Sequence, residues 1–212
     1  MKKIKECAAL IGMAAAIFAQ GVCINAQTRE DISSDVFRLH IIANSDSAED
    51  QELKIKVRDA VLTAGDGIFS GSSDADEAAV KAKRNLEFLR ETALQTIREN
   101  GFDYDAECEV AEVVFDERSY GSAVLPAGEY TALQIKIGEA EGKNWWCVMF
   151  PPLCLPAVTN TDEVLADAEK DGVLTKEELD IISNPESYQV RFYFADKFKE
   201  LMEYIEKKSN NL

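Results

Sequence analysis

The chain has 212 residues, with 39 acidic and 23 basic side chains and a formal net charge of −16 at pH 7. This excess of negative charge argues against nucleic acid as a partner, because phosphate backbones are bound through clustered lysine and arginine. A chain of this length can bury a substantial core within one domain.

The first 26 residues have the three parts of an export signal. Lysines at positions 2, 3 and 5 precede an apolar run from Cys7 to Ile24, and the small residue Ala26 follows. This pattern is typical of a secretory signal peptide, and an uncleaved membrane anchor is the alternative because the run approaches the length of a spanning helix. Loss of residues 1–26 removes three lysines and one glutamate, which moves the net charge from −16 to −18. In both cases we expect residues 27–212 to be exported.

A strand followed by a capped helix opens the exported part. Apolar residues alternate with Arg38 and His40 over residues 36–42, which predicts a strand. The following Asn-Ser-Asp-Ser turn is rich in capping side chains. Ser47 is the predicted N-cap, and Asp50 occupies the third helical position, where a carboxylate favours the helix dipole.

The remaining pattern predicts an α+β fold. A Gly/Ser-rich link at 64–73 precedes a second long amphipathic helix that ends at Gly101; β-rich runs follow at 108–115, 130–137 and 145–150, short helices at 164–168 and 175–182, a strand at 188–194 and a last helix. We predict that residues 27–212 form a single domain with a mostly antiparallel or mixed sheet and helices packed on one face of the sheet. Residues 156–187 are a candidate variable insertion.

Three cysteines follow the export signal, and an exported protein meets an oxidising setting. Cys147 and Cys154 flank the Pro151-Pro152 pair, which favours a reversal of the chain, so they are the candidate disulfide. Two buried free thiols are the alternative interpretation. Cys108 would remain unpaired.

Motifs of enzyme chemistry are scarce. His40 is the only histidine, and the chain has no Gly-x-Ser-x-Gly, His-Glu-x-x-His, Cys-x-x-Cys or phosphate-loop pattern. We therefore predict no catalytic residue and no cofactor. An exported peptidoglycan hydrolase that uses Glu129 or another acid is the competing enzyme interpretation.

Residues 167–178 match the twelve-residue calcium loop. Oxygen-bearing side chains stand at ligand positions (Asp167, Glu169, Asp171, Thr175 and Glu178), with Gly172 at position six. Position three is glutamate in place of the usual aspartate or asparagine, no second loop accompanies it, and acidic chains produce such matches by chance. We assign no metal on this basis, and a calcium-responsive module remains an alternative.

Two polar or aromatic stretches are candidate partner-binding surfaces: the strand end with its following turn and helix, and the Trp-Trp pair that precedes Cys147. We nominate His40, Asn44, Asp46, Arg58, Trp145 and Trp146. The structural alternatives are helix capping for the turn residues and core packing for the tryptophans.

The same stretches resemble the stage II sporulation protein R family. The resemblance rests on Phe37-Arg-Leu-His-Ile-Ile-Ala-Asn-Ser-Asp-Ser47, on Asp50 to Asp59, on Arg118-Ser-Tyr-Gly121, on Leu125 to Tyr130, on Asn144 to Cys154, and on Val190-Arg-Phe192. Residues 156–187 have no clear counterpart in it.

The resemblance implies a signalling role. Such a protein is exported from the forespore into the space between the two membranes and triggers a membrane-embedded aspartic protease of the mother cell, which matures the sigma-E precursor. On this basis the chain itself is not an enzyme, and it meets the membrane only through its signal segment or its partner. The family's contact residues are not carried over, so the six nominated residues are hypotheses.

Overall fold

A computed structural model describes residues 27–153 and 161–184. The helices are α1 (residues 27–34), α2 (Ala48–Phe69), α3 (Ala75–Arg84), α4 (Leu86–Glu99), α5 (Thr161–Lys170) and α6 (Lys176–Ser183). The strands are β1 (Phe37–Ile42), β2 (Ala106–Phe115), β3 (Arg118–Tyr120), β4 (Ala123–Leu125), β5 (Gly128–Ile137) and β6 (Asn144–Phe150). The export signal, Cys154, and the predicted strand at 188–194 with its following helix lie outside the described residues.

Four strands form a mixed sheet in the order β2-β5-β1-β6. Strand β1 runs parallel to β5, with Leu39 opposite Leu133, and antiparallel to β6, with Leu39 opposite Cys147. Strand β2 pairs antiparallel with β5. The structure confirms the predicted α+β fold and adds that β1 separates β5 from β6. β1 and β5 therefore have neighbours on both edges, which suits their apolar sequences.

Helices α2, α3 and α4 cover one face of the sheet, as predicted. The alternation in β1 and β5 directs their apolar side chains to this face, where they meet the helices in one cluster that includes Phe37, Leu39, Ile41, Val57, Val61, Ala82, Leu89, Ile97, Leu133 and Ile135. Each of these side chains is almost completely buried. Burial of this kind contributes about 25 cal/mol per Å² of apolar surface, so this layer contributes substantially to the stability of the domain.

The predicted second helix is interrupted at Asn85 and forms two helices, α3 and α4. The backbone N–H of Asn85 donates to Lys81 and Ala82, and its side chain also donates to the Lys81 carbonyl. Helix α3 therefore ends in a local cap, and α4 begins at the next residue, Leu86. The predicted link at 64–73 is also shorter than expected, since α2 continues to Phe69.

The opposite face of the sheet carries a second, smaller apolar cluster. It joins the sheet to the β3–β4 hairpin and to α1, α5 and α6, and includes Ile32, Val36, Phe115, Leu125, Tyr130, Val148, Leu165, Leu174, Ile181 and Ile182. Arg38 and His40 point to this face and are buried at 0% and 5% exposure. Two polar side chains of β1 thus lie inside the fold.

Candidate functional site

Side chains of the turn between β1 and α2 hydrogen-bond to the backbone of the turn between β5 and β6. The side-chain oxygen of Asn44 accepts a hydrogen bond from the Glu139 backbone N–H at 3.0 Å, and its amide donates to Asp50 at 2.9 Å. Asp46 accepts from the Lys143 backbone N–H at 2.7 Å. Asn44 and Asp46 therefore satisfy backbone groups of a neighbouring turn, which is a structural use of two residues nominated for partner binding.

Two charged residues of α2 are buried beneath this pair of turns. Burial raises the pKa of Asp50, but side-chain hydrogen bonds, those from Ser45 and Asn44 foremost, outweigh it and hold the pKa below its usual value. Lys54 donates to the Lys143 carbonyl at 2.8 Å, and burial lowers its pKa. Hydrogen bonds to both charged groups offset the cost of removing them from water. Together with Asn44 and Asp46, they fix the position of the β5–β6 turn relative to the start of α2.

His40 and Trp146 form a stacked pair on the face opposite the long helices. Their ring centroids are 3.9 Å apart and the planes differ by 4°. Gln134 donates to Nδ1 of His40 at 2.8 Å, and Nε2 lies 2.8 Å from the Asn144 side-chain oxygen. An amide N–H₂ only donates and an amide oxygen only accepts, so these orientations place the proton on Nε2 of a neutral ring.

The surroundings of His40 favour that neutral form. Burial lowers the pKa of His40 most; the hydrogen bond to Asn144 opposes this change, and nearby Lys136 lowers the pKa further. The ring is therefore held as an uncharged stacking partner for Trp146. A protonated ring would carry an N–H on Nδ1 as well, and this donor would face the N–H of the Gln134 amide, so the hydrogen bond between them would be lost.

Arg38 lies in an aromatic cage beside this pair. Its guanidinium carbon is 3.7 Å from the ring centroid of Phe115 and 4.5 Å from that of Tyr130. One nitrogen donates to the Tyr120 hydroxyl at 2.5 Å, while Nε and Nη1 have no hydrogen-bond partner. Burial lowers the pKa of the guanidinium. Sequence reasoning missed this cage, although a basic residue within a buried strand was a usable signal.

Arg58 and Trp145 form a separate stack on the helix-covered side. The guanidinium carbon of Arg58 lies 4.4 Å from the Trp145 ring centroid, and its side chain is 12% exposed. Asp59 pairs with the same guanidinium at 2.6 Å. The two tryptophans lie on opposite faces of β6: Trp145 packs with the large cluster and Trp146 with the smaller one.

The six nominated residues therefore surround one end of the β1–β6 pair without forming a single patch. Asn44 and Asp46 hold the turns, while the two tryptophans face opposite sides of the edge strand. Arg118 is a further residue that the sequence did not single out: its guanidinium carbon lies 5.8 Å from the Trp146 centroid, and its side chain is 41% exposed. Each tryptophan thus has a cation over it.

The remaining predicted residues lie away from these stacks. Glu129 is exposed near the start of β5. Cys147 is disulfide-bonded, and its predicted partner Cys154 lies outside the described residues, so the pairing stays a prediction. Cys108 is a free, half-buried thiol, and burial raises its pKa to about 12. It is therefore a poor nucleophile.

Comparison with known proteins identifies the family. The sequence model of the stage II sporulation protein R family matches residues 33–160, which is more than half of the chain. The chain belongs to this family. Stage II sporulation protein R of Bacillus subtilis (strain 168) is 35% identical over 141 residues, which are 66% of this chain and 63% of that protein. The aligned part thus spans less than two thirds of that relative. No solved structure matches.

Membership in the stage II sporulation protein R family supports a role in sporulation. The match contains all six nominated residues and the Arg38 cage, and it ends at residue 160, just before α5. The relative's name is that of a sporulation protein and not of an enzyme class. Among the described residues, no helix is long and apolar enough to cross a membrane.

Proposed function

We propose that this chain is an exported signal that activates a membrane-embedded aspartic protease, which then matures the sigma-E precursor. Membership in the stage II sporulation protein R family is the observation that carries the proposal. The chain crosses the forespore membrane by means of residues 1–26 and acts in the space between the two membranes. It meets the membrane only through that segment or through its partner.

The chain acts by binding and not by catalysis. A binding protein activates a protease when it has higher affinity for the active or assembled state than for the inactive one, so that the population shifts. A hundredfold difference in affinity corresponds to about 2.7 kcal/mol, which a few well-placed contacts supply. On this proposal the chain itself makes and breaks no covalent bond during activation.

The proposed contact surface surrounds the first half of β6. It consists of the two cation–tryptophan stacks, Arg58 with Trp145 on one side and Arg118 with Trp146 on the other. Aromatic and arginine side chains are the most frequent anchors of protein interfaces, because they combine large apolar area with directional hydrogen bonds. Within the described residues β6 is an edge strand and both tryptophans are half-buried, so part of each ring is open to a partner.

Deletion of the gene tests the function directly. We expect the sigma-E precursor to remain unprocessed in sporulating cells, as followed by immunoblot. The full chain should restore processing, and a chain without residues 1–26 should not, because it stays in the cytoplasm. Normal processing without the gene would refute the proposal.

Charge-neutralising variants test the contact surface separately. We expect Arg58→Gln and Arg118→Gln each to reduce processing at least fivefold at equal exported protein. Lys56→Gln is the matched control, because Lys56 is an exposed cation of the same helix as Arg58 and pairs with Glu52 at the helix surface. Full processing by both variants would reject this surface while leaving the function established by the deletion.

Reconstitution distinguishes activation from wall hydrolysis. The protease and the sigma-E precursor are expressed together in non-sporulating cells, with or without the exported chain. Processing that depends on the chain supports activation of the protease. If processing is independent of it and the purified chain releases soluble fragments from peptidoglycan, the hydrolase interpretation replaces ours.

A further inference from the structure

Two carboxyl groups meet where the end of α1 lies beside α6, and the function proposed above uses neither of them. Glu178 lies in the first turn of α6 and is 1% exposed, and Asp35 directly follows α1 and is half-buried. We propose that Asp35 and Glu178 share one proton and form a pH-sensitive latch between α1 and α6. This latch is separate from protease activation.

Apolar side chains surround the pair. The smaller apolar cluster contains residues close to Asp35 along the chain and residues one turn after Glu178, each at most 5% exposed (Ile32, Val36, Ile181 and Ile182). The two carboxyl groups therefore lie within a packed contact between α1 and α6. A charge on either group is poorly solvated there, which favours a form of the pair that carries fewer charges.

Glu178 uses one of its oxygens to cap its own helix. Oε2 accepts from the Thr175 backbone N–H at 2.6 Å and from the Thr175 hydroxyl at 2.7 Å, which completes the capping box of α6. Oε1 is buried, and no N–H or O–H group of the described residues donates to it. The Asp35 carboxyl hydrogen-bonds with the Glu178 side chain. Two carboxylates have no donor between them, so this contact requires one proton, which supplies the missing donor.

The surroundings of Asp35 favour its protonated form. Burial raises the pKa of Asp35 most, and Glu178 raises it further through its charge and through the hydrogen bond. These effects bring the pKa of Asp35 from 3.8 to about 6. Two carboxyl groups in contact cannot both ionise without strong repulsion, so the first proton to leave the pair leaves at a raised pH.

The other charged groups around the pair act in the same direction or face elsewhere. Asp31, one turn earlier on α1, and Asp74, at the start of α3, both raise the pKa of Asp35. Strand β4, on which α6 packs, has no charged residue. On α5, Glu169 faces Lys176 at 3.9 Å.

The acidic loop that precedes α6 gives the pair no metal. Residues 167–178 have the spacing of a calcium loop, but among the described side chains no three acidic, histidine or cysteine residues converge on one point. Gly172, with φ +74°, ends α5, since its N–H donates to the Glu169 carbonyl at 3.1 Å. The capping box and Asp35 account for the burial of Glu178.

The latch closes at acidic pH and loosens at neutral pH. The pKa of Asp35 is higher in the closed form, so the closed form binds the extra proton, and its contribution is complete below about pH 3.8 and lost as the pH rises through about 6. With these two values, the equilibrium for closing α6 onto α1 should fall about ninefold between about pH 5 and pH 7. At neutral pH, apolar contacts and the capping box hold α6 against the repulsion of two carboxylates.

Carboxyl-carbon NMR of the full chain in mild detergent measures the proton directly. Spectra recorded from about pH 3 to pH 8 should show one aspartate carboxyl that titrates at about 6, well above the ordinary range of its pKa. Asp35→Asn assigns the signal, because the variant lacks it. This titration is measured on the unaltered chain and does not depend on the stability of any variant.

Hydrogen exchange of α6 tests whether the proton holds the helix. Protection factors of the α6 amides, corrected for the intrinsic rate at each pH and divided by those of β5, should fall about ninefold between about pH 5 and pH 7. Division by β5 removes changes in global stability. Asp35→Asn places a permanent N–H donor against Glu178, so its protection should change less than twofold. Glu177→Gln removes an equal charge from an exposed position of the same helix and should keep the ninefold change.

Three results would each overturn the latch: an Asp35 pKa of about 4, a ninefold change that persists in Asp35→Asn, or loss of the change in Glu177→Gln. Asparagine has the shape of aspartate, so the Asp35→Asn variant should fold, as circular dichroism will show. These measurements do not involve processing of the sigma-E precursor. Failure of the latch would therefore leave the proposed function unaffected.

Discussion

Replacement of Arg38 by methionine tests how a fully buried cation is tolerated in this fold. Desolvation of a charged group costs several kcal/mol, and each guanidinium nitrogen without an acceptor adds about 1 to 3 kcal/mol. Against this, cation–π contacts with Phe115 and Tyr130 contribute about 2 kcal/mol each when desolvated, and the bond to Tyr120 about 1.5 to 3 kcal/mol. Costs and gains nearly cancel, so an apolar side chain of similar volume should be neutral or stabilising, by about 0 to 3 kcal/mol.

Urea unfolding of residues 27–212 measures this difference. We expect the Arg38→Met variant to keep the m-value and to unfold at an equal or higher urea concentration. Arg38→Ala is the comparison, because it leaves a cavity between the rings and should lose about 2 to 5 kcal/mol. A loss of more than about 2 kcal/mol by the methionine variant would show that the cation–π contacts dominate, and the reasoning would fail.

Two further predictions concern single positions. The His40 imidazole should titrate in NMR below its usual pKa of about 6.5; because the folded pKa is the lower one, stability should be complete above pH 6.5 and fall as pH drops, by at most about 1.4 kcal/mol per pH unit. An imidazole that titrates at or above 6.5 would contradict the buried neutral ring. Gly138→Ala should lose about 2 to 3 kcal/mol, since φ is +57° and the added Cβ would lie 2.3 Å from the Asn44 side-chain oxygen. Gly67→Ala is the control in α2, where nothing lies within 4 Å, and it should gain up to about 1 kcal/mol; equal effects at both glycines would refute the argument.

The sequence predicted elements whose cause is local. The alternation in β1 and the Ser47 cap of α2 depend on neighbours within a few residues, and the structure confirms both. The break at Asn85 and the continuation of α2 through Gly65 were not predicted. Gly65 is used because a Cβ there would lie 2.8 Å from the Phe69 ring and 3.3 Å from Met149, a contact between helix and sheet that sequence periodicity does not encode.

The candidate site was predictable only in its residue types. His40 and the two tryptophans were nominated from their chemistry, and the opposite faces of Trp145 and Trp146 follow from the alternation of side chains along a strand. The position of β6 at the edge of the described sheet depends on long-range strand pairing, which the sequence does not show. Arg38 was not nominated, because alternation alone assigns it to the polar face of the strand. That face is covered by the β3–β4 hairpin and α6, and only long-range packing shows this.

The β3–β4 hairpin links α6 to the proposed contact surface. Helix α6 packs against β4, and β4 pairs with β3, which carries both Arg118 over Trp146 and Tyr120 on Arg38. Packed elements move as units and not as independent side chains. A shift of α6 would therefore act on the Arg118 side of the surface through this packed layer, while the Arg58 side, which lies across the sheet, would keep its geometry.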